Sequence, residues 1–416
     1  MKNAIILVML LAPLCSAQNR MGEYRELLAL YQKAVDANDV TTGLKYLESI
    51  DKLRPNSLTI LKLLSEAYLV TGRTTEAIET LKRAIWINTG IINDNSFVDL
   101  ATTGSALRRL SDSLSQQKIV SDIVYVLNDS AFHPEGIAFD EARLRFIFGS
   151  IRTSVIRVCY KDGTIDDSFF KPNGPMMCIM GMKIDQDRNR LLVSTAAMPE
   201  NVLFSEETDG WSGVVAFDLD SGRELGRVIG PGRHVFGDLV LDRRGNVYIS
   251  DSRDPVIYLW NLGKNHLDTL IVLPDAWNLQ GIAISEDDHI VFVTDYISGI
   301  YRINLRDNLI THIGQNVPGL RGSDGLYLSD HFLIAIQNGV FPRRVLRIKL
   351  NDNLEDIVSV QVLDNNLPYQ GEPTLGCIIN GYLLYLANSP WQAYSDNGQF
   401  QTIQAEPVFV RSVKLE

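Results

Sequence analysis

The chain has 416 residues, of which 45% are hydrophobic and 21% charged, with a formal net charge of -11 at pH 7. This is ordinary globular usage with enough apolar residues for two or three domains, and it argues against a disordered or low-complexity protein. The negative balance, with no stripe of Lys and Arg, argues against nucleic acid as a partner, because phosphate binding needs clustered cations.

The chain opens MKNAIILVMLLAPLCSAQ, with Lys2 before a short apolar core from Ala4 to Leu14 and Ala17 closing a small-residue cleavage site. This reads as a signal peptide over residues 1–17, too short to span ~30 Å of hydrocarbon, so the protein is expected to be exported, periplasmic or secreted. No later segment is long and apolar enough to span a membrane. Cleavage removes Cys15 and leaves Cys159, Cys178 and Cys377. Three cysteines without CxxC spacing form neither a disulfide framework nor a zinc site; they read as buried small apolar residues, with one bridged pair as the alternative.

Helical spacing follows from Tyr24 to Asn88. The stretch LLSEAYLVTGRTTEAIETLKRAIWIN resembles a tetratricopeptide repeat through Ala67, Tyr68, Gly72, Ala77, Leu81 and Ala84. A fainter copy 34 residues earlier matches Gly43 to Ala77, Leu44 to Ile78, Leu47 to Leu81 and Ile50 to Ala84. Small residues at helix crossings and an apolar stripe that only a neighbour can cover predict a short stack over residues 18–90. A capping helix from about Ser96 to Leu114 and a linker follow, over residues 91–118. The stack is expected either to dock on the next domain or to recruit a protein partner.

After Lys118, short β-rich runs separated by Gly, Asn and Asp turns repeat one unit: EGIAFD, MGMKID, GDLVLD, QGIAIS, DGLYLS and, with altered chemistry, GCIING. Each precedes a turn and a second run (RFIFGS, RLLVST, NVYISD, HIVFVT, FLIAIQ, YLLYLA), and a third and fourth strand commonly follow. Four strands repeated six times predict a mainly β fold, a six-bladed β-propeller over residues 119–416. Residues 121–128 and 408–415 are placed to close the ring within one blade, which leaves no open sheet edge.

The residue just before each first strand belongs at the mouth of the central channel. Those positions hold Glu135, Met180, Gly237 with Asp238, Gln280, Asp324 and, with less exact register, Glu372. The ends of the second strands add Ser150, Asp251, Asp295, Asn338 and Asn388. Crowded carboxylates and amides without convergent His or Cys suit one hard divalent cation, Ca²⁺ best of all. His133 and His234 read as proton carriers or as ordinary loop histidines. Arg152, Arg253 and Arg343 with Arg344 read as clamps on an anion or as partners of local acids. Trp277, Trp391 and Tyr296 read as pocket walls or as packing between blades.

Residues 130–395 resemble the senescence marker protein, gluconolactonase and luciferin-regenerating enzyme family of six-bladed propellers. The motifs that carry the resemblance are PEGIAFD, FGDLVLDRRGNVYISD, LQGIAISEDDHIVFVTDYISGIYRIN and SDGLYLSDHFLIAIQNG. The resemblance implies one divalent metal that polarises a lactone carbonyl and helps to activate water. Glu135 and Asp324 match the family's acidic ligands, and Asp324 also matches its general base. Gln280 stands where the family has one Asn, and Gly237 stands at the other, with Asp238 beside it. The implied metal set is therefore Glu135, Asp238, Gln280 and Asp324, with Asp324 or Asp295 taking the proton from water and Arg152, Asn338, Asn388 and Trp391 contacting substrate. Two activities follow as expectations: a metal-dependent hydrolase of a lactone or ester, or a non-catalytic scaffold that binds a sugar-like ligand or a protein. A propeller enzyme without metal, similar to strictosidine synthase, ranks behind both.

Overall fold

The computed structural model describes residues 20–315, 317–395, 398–401 and 406–415. The expected signal peptide, with Cys15, lies outside the described residues. Among the described residues no helix is long and apolar enough to cross a membrane.

Five helices lead: α1 (residues 20–36), α2 (Val40–Leu53), α3 (Leu58–Val70), α4 (Thr74–Ile87) and α5 (Ala106–Ser115). Their limits are set by local chemistry: the Asp39 carboxylate accepts from Thr42 N at 3.0 Å to cap α2, and Ser105 Oγ accepts from Arg108 N at 3.1 Å to cap α5. Leu44, Leu47 and Ile50 of α2 meet Ile60, Leu64 and Tyr68 of α3 and Ala77 of α4 in one apolar cluster. A bidentate pair from Arg83 to Asp51, at 2.7 and 2.9 Å, ties α4 back to α2. The last helix is shorter than expected, because residues 94–105 form turns that end at Gly104, whose φ of +80° takes the chain out of the helical region before Ser105 restarts it.

The rest of the described chain forms six four-stranded antiparallel sheets. The innermost strands are Pro134–Asp140, Cys178–Asp185, Phe236–Leu241, Leu279–Ile284, Ser323–Ser329 and Gly376–Ile379. Five sheets follow chain order, and the sixth is completed by the early strand Asp122–Leu127, antiparallel to Val408–Lys414. This is a six-bladed propeller closed in the way the termini suggest. Six apolar clusters each join two consecutive blades, so no blade has a core of its own. Buried ion pairs fasten the ring as well: Arg145 binds Asp140 at 2.9 Å and Arg190 binds Asp185 at 2.8 Å, and both guanidiniums donate to carbonyls beyond their own blade, Leu219 and Gly245. Cys159, Cys178 and Cys377 are free thiols, the first two buried.

The motif glycines have a steric cause. A Cβ at Gly136 would lie 2.1 Å from the Met180 carbonyl oxygen, and one at Gly281 would lie 2.3 Å from the Leu326 amide nitrogen. Inner strands of adjacent blades come so close around the axis that a side chain there has no room.

The helices dock on the propeller. Thr89 N donates to Phe341 O at 3.0 Å and Phe341 N to Ile87 O at 2.7 Å, while Arg344 donates to Trp86 O at 2.6 Å. Asn365 Nδ2 donates to the carbonyls of Leu114 and Gln116 at 2.8 and 2.7 Å.

Candidate functional site

The side chains that reach the mouth are aimed there by irregular pairing. In five blades the first strand slips register against the second beside the residue in question: between Pro134 and Gly136, Ile179 and Met182, Phe236 and Asp238, Leu279 and Ile282, and Ser323 and Gly325. The extra residue of such a bulge is unpaired and its side chain is redirected. Glu135, Met180, Gly237, Gln280 and Asp324 occupy these places. In the sixth blade Glu372 arrives by a bridge to Ser389 instead.

A cavity of about 310 Å³ opens at this end of the channel. Glu135, Asp324 and Glu372 line one side together with Asn278, Gln280 and Asn338, while Met180, Met198 and Val235 form an apolar wall opposite in the blade order. Trp391 lines the cavity and donates through Nε1 to Glu135 Oε2 at 2.8 Å. Asn338 Nδ2 donates to Asp324 Oδ2 at 2.8 Å, and Tyr296 donates its hydroxyl to Asn338 Oδ1 at 2.9 Å. Gln280 Nε2 donates to Asn278 Oδ1 at 2.7 Å, and the Gln280 side-chain oxygen Oε1 takes no hydrogen bond among the described residues, whereas its backbone carbonyl accepts from Ser250 Oγ. Arg343 binds Glu372 at 2.8 Å.

Burial and mutual repulsion govern the acids. Burial, and next the Asp324 charge, hold Glu135 well above the usual carboxylate range, against the Trp391 hydrogen bond. Burial and the Glu372 charge push Asp324 up to about 7, against the Asn338 hydrogen bond. These carboxyls share too little positive charge, and oxygen donors in that condition suit a proton or a hard cation. Glu135, Asp324 and the Gln280 side-chain amide oxygen therefore fit a divalent ion in chemistry. The three acids Glu135, Asp324 and Glu372 are not drawn into a tight cage: among the described residues, the His, Cys, Asp and Glu side chains that bring three ligand atoms within 4.8 Å of one another are His234, Asp251 and Asp254. That trio is committed to structure, since His234 Nδ1 bonds Asp251 at 2.7 Å and Nε2 meets the Pro231 carbonyl at 3.1 Å, while Asp251 also accepts from Val235 N and Arg253 N.

Several expected residues lie elsewhere. Asp238 comes one residue after its bulge, at the place of Gly136 and Gly325, so it points into the channel and pairs with Lys183 Nζ at 3.2 Å, off the cavity wall. Asp295 accepts from the amides of Asn278, Ile297 and Ser298 and from the Ser298 hydroxyl, which occupies both of its oxygens and makes it a loop anchor. Asn388 likewise bonds Phe409 N at 2.8 Å and Pro407 O at 2.9 Å. Arg152 lies over the Phe400 ring at 5.3 Å and does not line the cavity. Ser150 and Asp251 also spend their side chains on loop hydrogen bonds rather than on the opening. His133 is fully buried, bonded to the Tyr394 hydroxyl at 2.7 Å, and burial followed by the Arg152 charge lowers its pKa to about 3. Trp277 packs with Tyr24 of α1 and under Arg20, whereas Tyr296 and Trp391 reach the mouth. Asn278 and Met198 escaped the sequence reading; Asn278 stands two residues before Gln280, a signal that was present in the repeat.

No protein-family model matches the chain, and no curated protein matches it. Solved structures with a similar course of chain include a gluconolactonase from Xanthomonas campestris, 16% identical with a TM-score of 0.44 over 72% of this chain and 91% of that one. Virginiamycin B lyase from Staphylococcus aureus is 13% identical with a TM-score of 0.45 over 70% of this chain and 99% of that one. A luciferin-regenerating enzyme is 12% identical with a TM-score of 0.45 over 70% and 95%. The strand order, rather than these distant likenesses, establishes the propeller.

Proposed function

We propose that the mouth is the active site of a hydrolase acting on a lactone or related ester, with one divalent cation, Ca²⁺ or another hard ion, held by Glu135, Asp324 and the Gln280 side-chain amide oxygen. The observation that carries this reading is the set of three acids, Glu135, Asp324 and Glu372, facing one cavity with only the Arg343 guanidinium paired among them. The ion, when bound, supplies Lewis-acid stabilisation of negative charge on the ester oxygen.

The chain's own residues supply the rest. Asp324 would serve as general base through the oxygen that the cation leaves free, since the burial and the Glu372 charge that raise its pKa in the cation-free site favour proton uptake. Asn338 holds Asp324 Oδ2, and Oδ1, which takes no hydrogen bond among the described residues, is left to receive a proton from water. Trp391 fixes the Glu135 carboxylate. Met180, Met198 and Val235 offer the carbon skeleton of the substrate an apolar wall. Asp295 has no part in this scheme, because its oxygens are spent on loop hydrogen bonds.

The apolar N-terminal run supports export of the protein to the periplasm or outside the cell. The helices, with small residues at their crossings, support a tetratricopeptide-like unit. The alternative reading, a non-catalytic scaffold for a sugar-like ligand or a protein partner, is favoured only by that unit, and its α4 end is already engaged with Phe341 and Arg344. The test is a screen of lactones and aryl esters with added Ca²⁺, Mg²⁺, Mn²⁺ or Zn²⁺ and with EDTA. Turnover that EDTA abolishes, and that Glu135→Gln and Asp324→Asn each reduce at least a hundredfold, is the expected result. A folded protein that binds no cation and turns over nothing would leave the scaffold reading in its place.

A further inference from the structure

A second cavity, of about 440 Å³, lies between the helices and the propeller and shares Asn338 with the mouth. Its lining contains three arginines, Arg54, Arg321 and Arg343, and no acid. Arg343 is already paired with Glu372. Arg54, just after α2, and Arg321, just before the innermost strand of the fifth blade, have no carboxylate within ion-pair distance among the described residues, and the Nε atom of each is buried without a hydrogen-bond partner. A buried guanidinium donor left unsatisfied is costly, and two such cations in one cavity repel each other as well. Burial lowers the pKa of Arg321, and the Arg54 charge acts in the same direction.

The neighbours explain how the two heads are held, but not what neutralises them. Arg54 lies over the Tyr24 and Trp277 rings, 5.4 Å from each centroid, and Arg321 Nη1 donates to the Asn56 carbonyl. Both contacts orient a planar fork and leave N–H groups over. Such a fork matches carboxylate and phosphate oxygens, and a chain of net charge -11 needs a local positive site if it is to accept an anion at all.

We infer that this cavity is an oxyanion subsite, in which Arg54 and Arg321 hold a carboxylate or phosphate group of the substrate whose ester is cleaved at the mouth. The substrate clause rests on the hydrolase reading above; the anion site does not. The helical unit thereby contributes a binding residue, Arg54, to a site that the propeller alone would leave incomplete.

The test is calorimetric titration of the whole protein with inorganic phosphate and, separately, with gluconate, at an ionic strength fixed with chloride. Saturable binding of at least one of them is expected, weakened about tenfold or more in Arg54→Gln and in Arg321→Gln, and unchanged in Arg253→Gln, an arginine that lines neither cavity. Melting curves establish that the variants fold. Arg54→Lys, which keeps the charge but loses the planar fork, guards against a variant that fails to fold and is expected to weaken binding about threefold. Which anion binds tells a phosphorylated substrate from a carboxylated one. A second arm compares kcat/KM for an aryl ester that carries a carboxylate with that for a neutral analogue; the preference for the charged ester should fall about tenfold in Arg54→Gln. No saturable binding, or equal affinity in wild type, Arg54→Lys and Arg321→Gln, overturns the proposal. Anion binding that needs both arginines, without turnover of any ester, upholds the subsite and overturns the hydrolase reading.

Discussion

Replacing Asp324 by Asn tests the electrostatics of the mouth without reference to any substrate. In the folded chain the Asp324 carboxyl keeps its proton up to about 7, against an ordinary value of 3.8. Between those two values the folded protein binds a proton that the unfolded chain has released, so stability falls as pH rises through that window and is flat on this account above and below it. Each pH unit in the window costs about 1.4 kcal/mol, so ionising Asp324 costs at most about 4 kcal/mol. Asp324 opens on the cavity, and water entering there screens the charge, which leaves about 2 kcal/mol. Asp324→Asn removes the charge and retains the shape. With EDTA present, thermal or urea melting should show wild type losing about 2 kcal/mol more than the variant between pH 4 and pH 8, the loss that remains in the variant coming from Glu135. A saturating cation that binds only the folded wild type, at a hundred times its Kd, adds about 2.7 kcal/mol and so hides the loss. Parallel pH profiles for wild type and Asp324→Asn in EDTA would refute the reasoning, because the acid would then be neutralised by something other than a proton or an added ion.

Three further outcomes follow from the same structure. Asp140→Ala leaves the buried Arg145 guanidinium without its partner at 2.9 Å, and should cost about 3–5 kcal/mol in a urea melt. Gly281→Ala puts a methyl group 2.3 Å from Leu326 N and 2.6 Å from Asp324 O, so the inner strands must part; a loss of about 2 kcal/mol or more is expected, with cation binding weakened as Asp324 shifts. Trp391→Phe removes the donor 2.8 Å from Glu135 Oε2, a charge-assisted bond worth about 1.5–3 kcal/mol. Glu135 then holds its proton to higher pH, and the pH at which a cation first stabilises the protein should move up by about one unit in melting experiments.

Much of the site was legible in the repeat, and each failure has its own local cause. Glu135, Gln280 and Asp324 share a place in the unit and share the mouth. Asp238 stands beside Gly237 in the same unit, yet a single-residue bulge turns consecutive side chains to different directions, and Asp238 takes the direction that goes to Lys183. Asp295 and Asn388 sit at strand ends with the right chemistry, but their donors and acceptors are loop amides and carbonyls whose positions no spacing encodes. Glu372 was visible only weakly, because the inner strand of its blade starts at Gly376 and the acid reaches the cavity through a bridge to Ser389.

The sequence by itself determined the propeller and its closure, since period, alternation and turn residues are local and repeat six times, and it determined the leading helices, since their apolar faces recur at helical spacing. Only the tertiary structure decided which polar side chains share a cavity. Bulges re-aim residues one at a time, and the helices fold back so that Arg54 meets Arg321 from the far side of the chain. Contacts of that kind depend on how two separate units dock, and no local pattern in either unit carries that information.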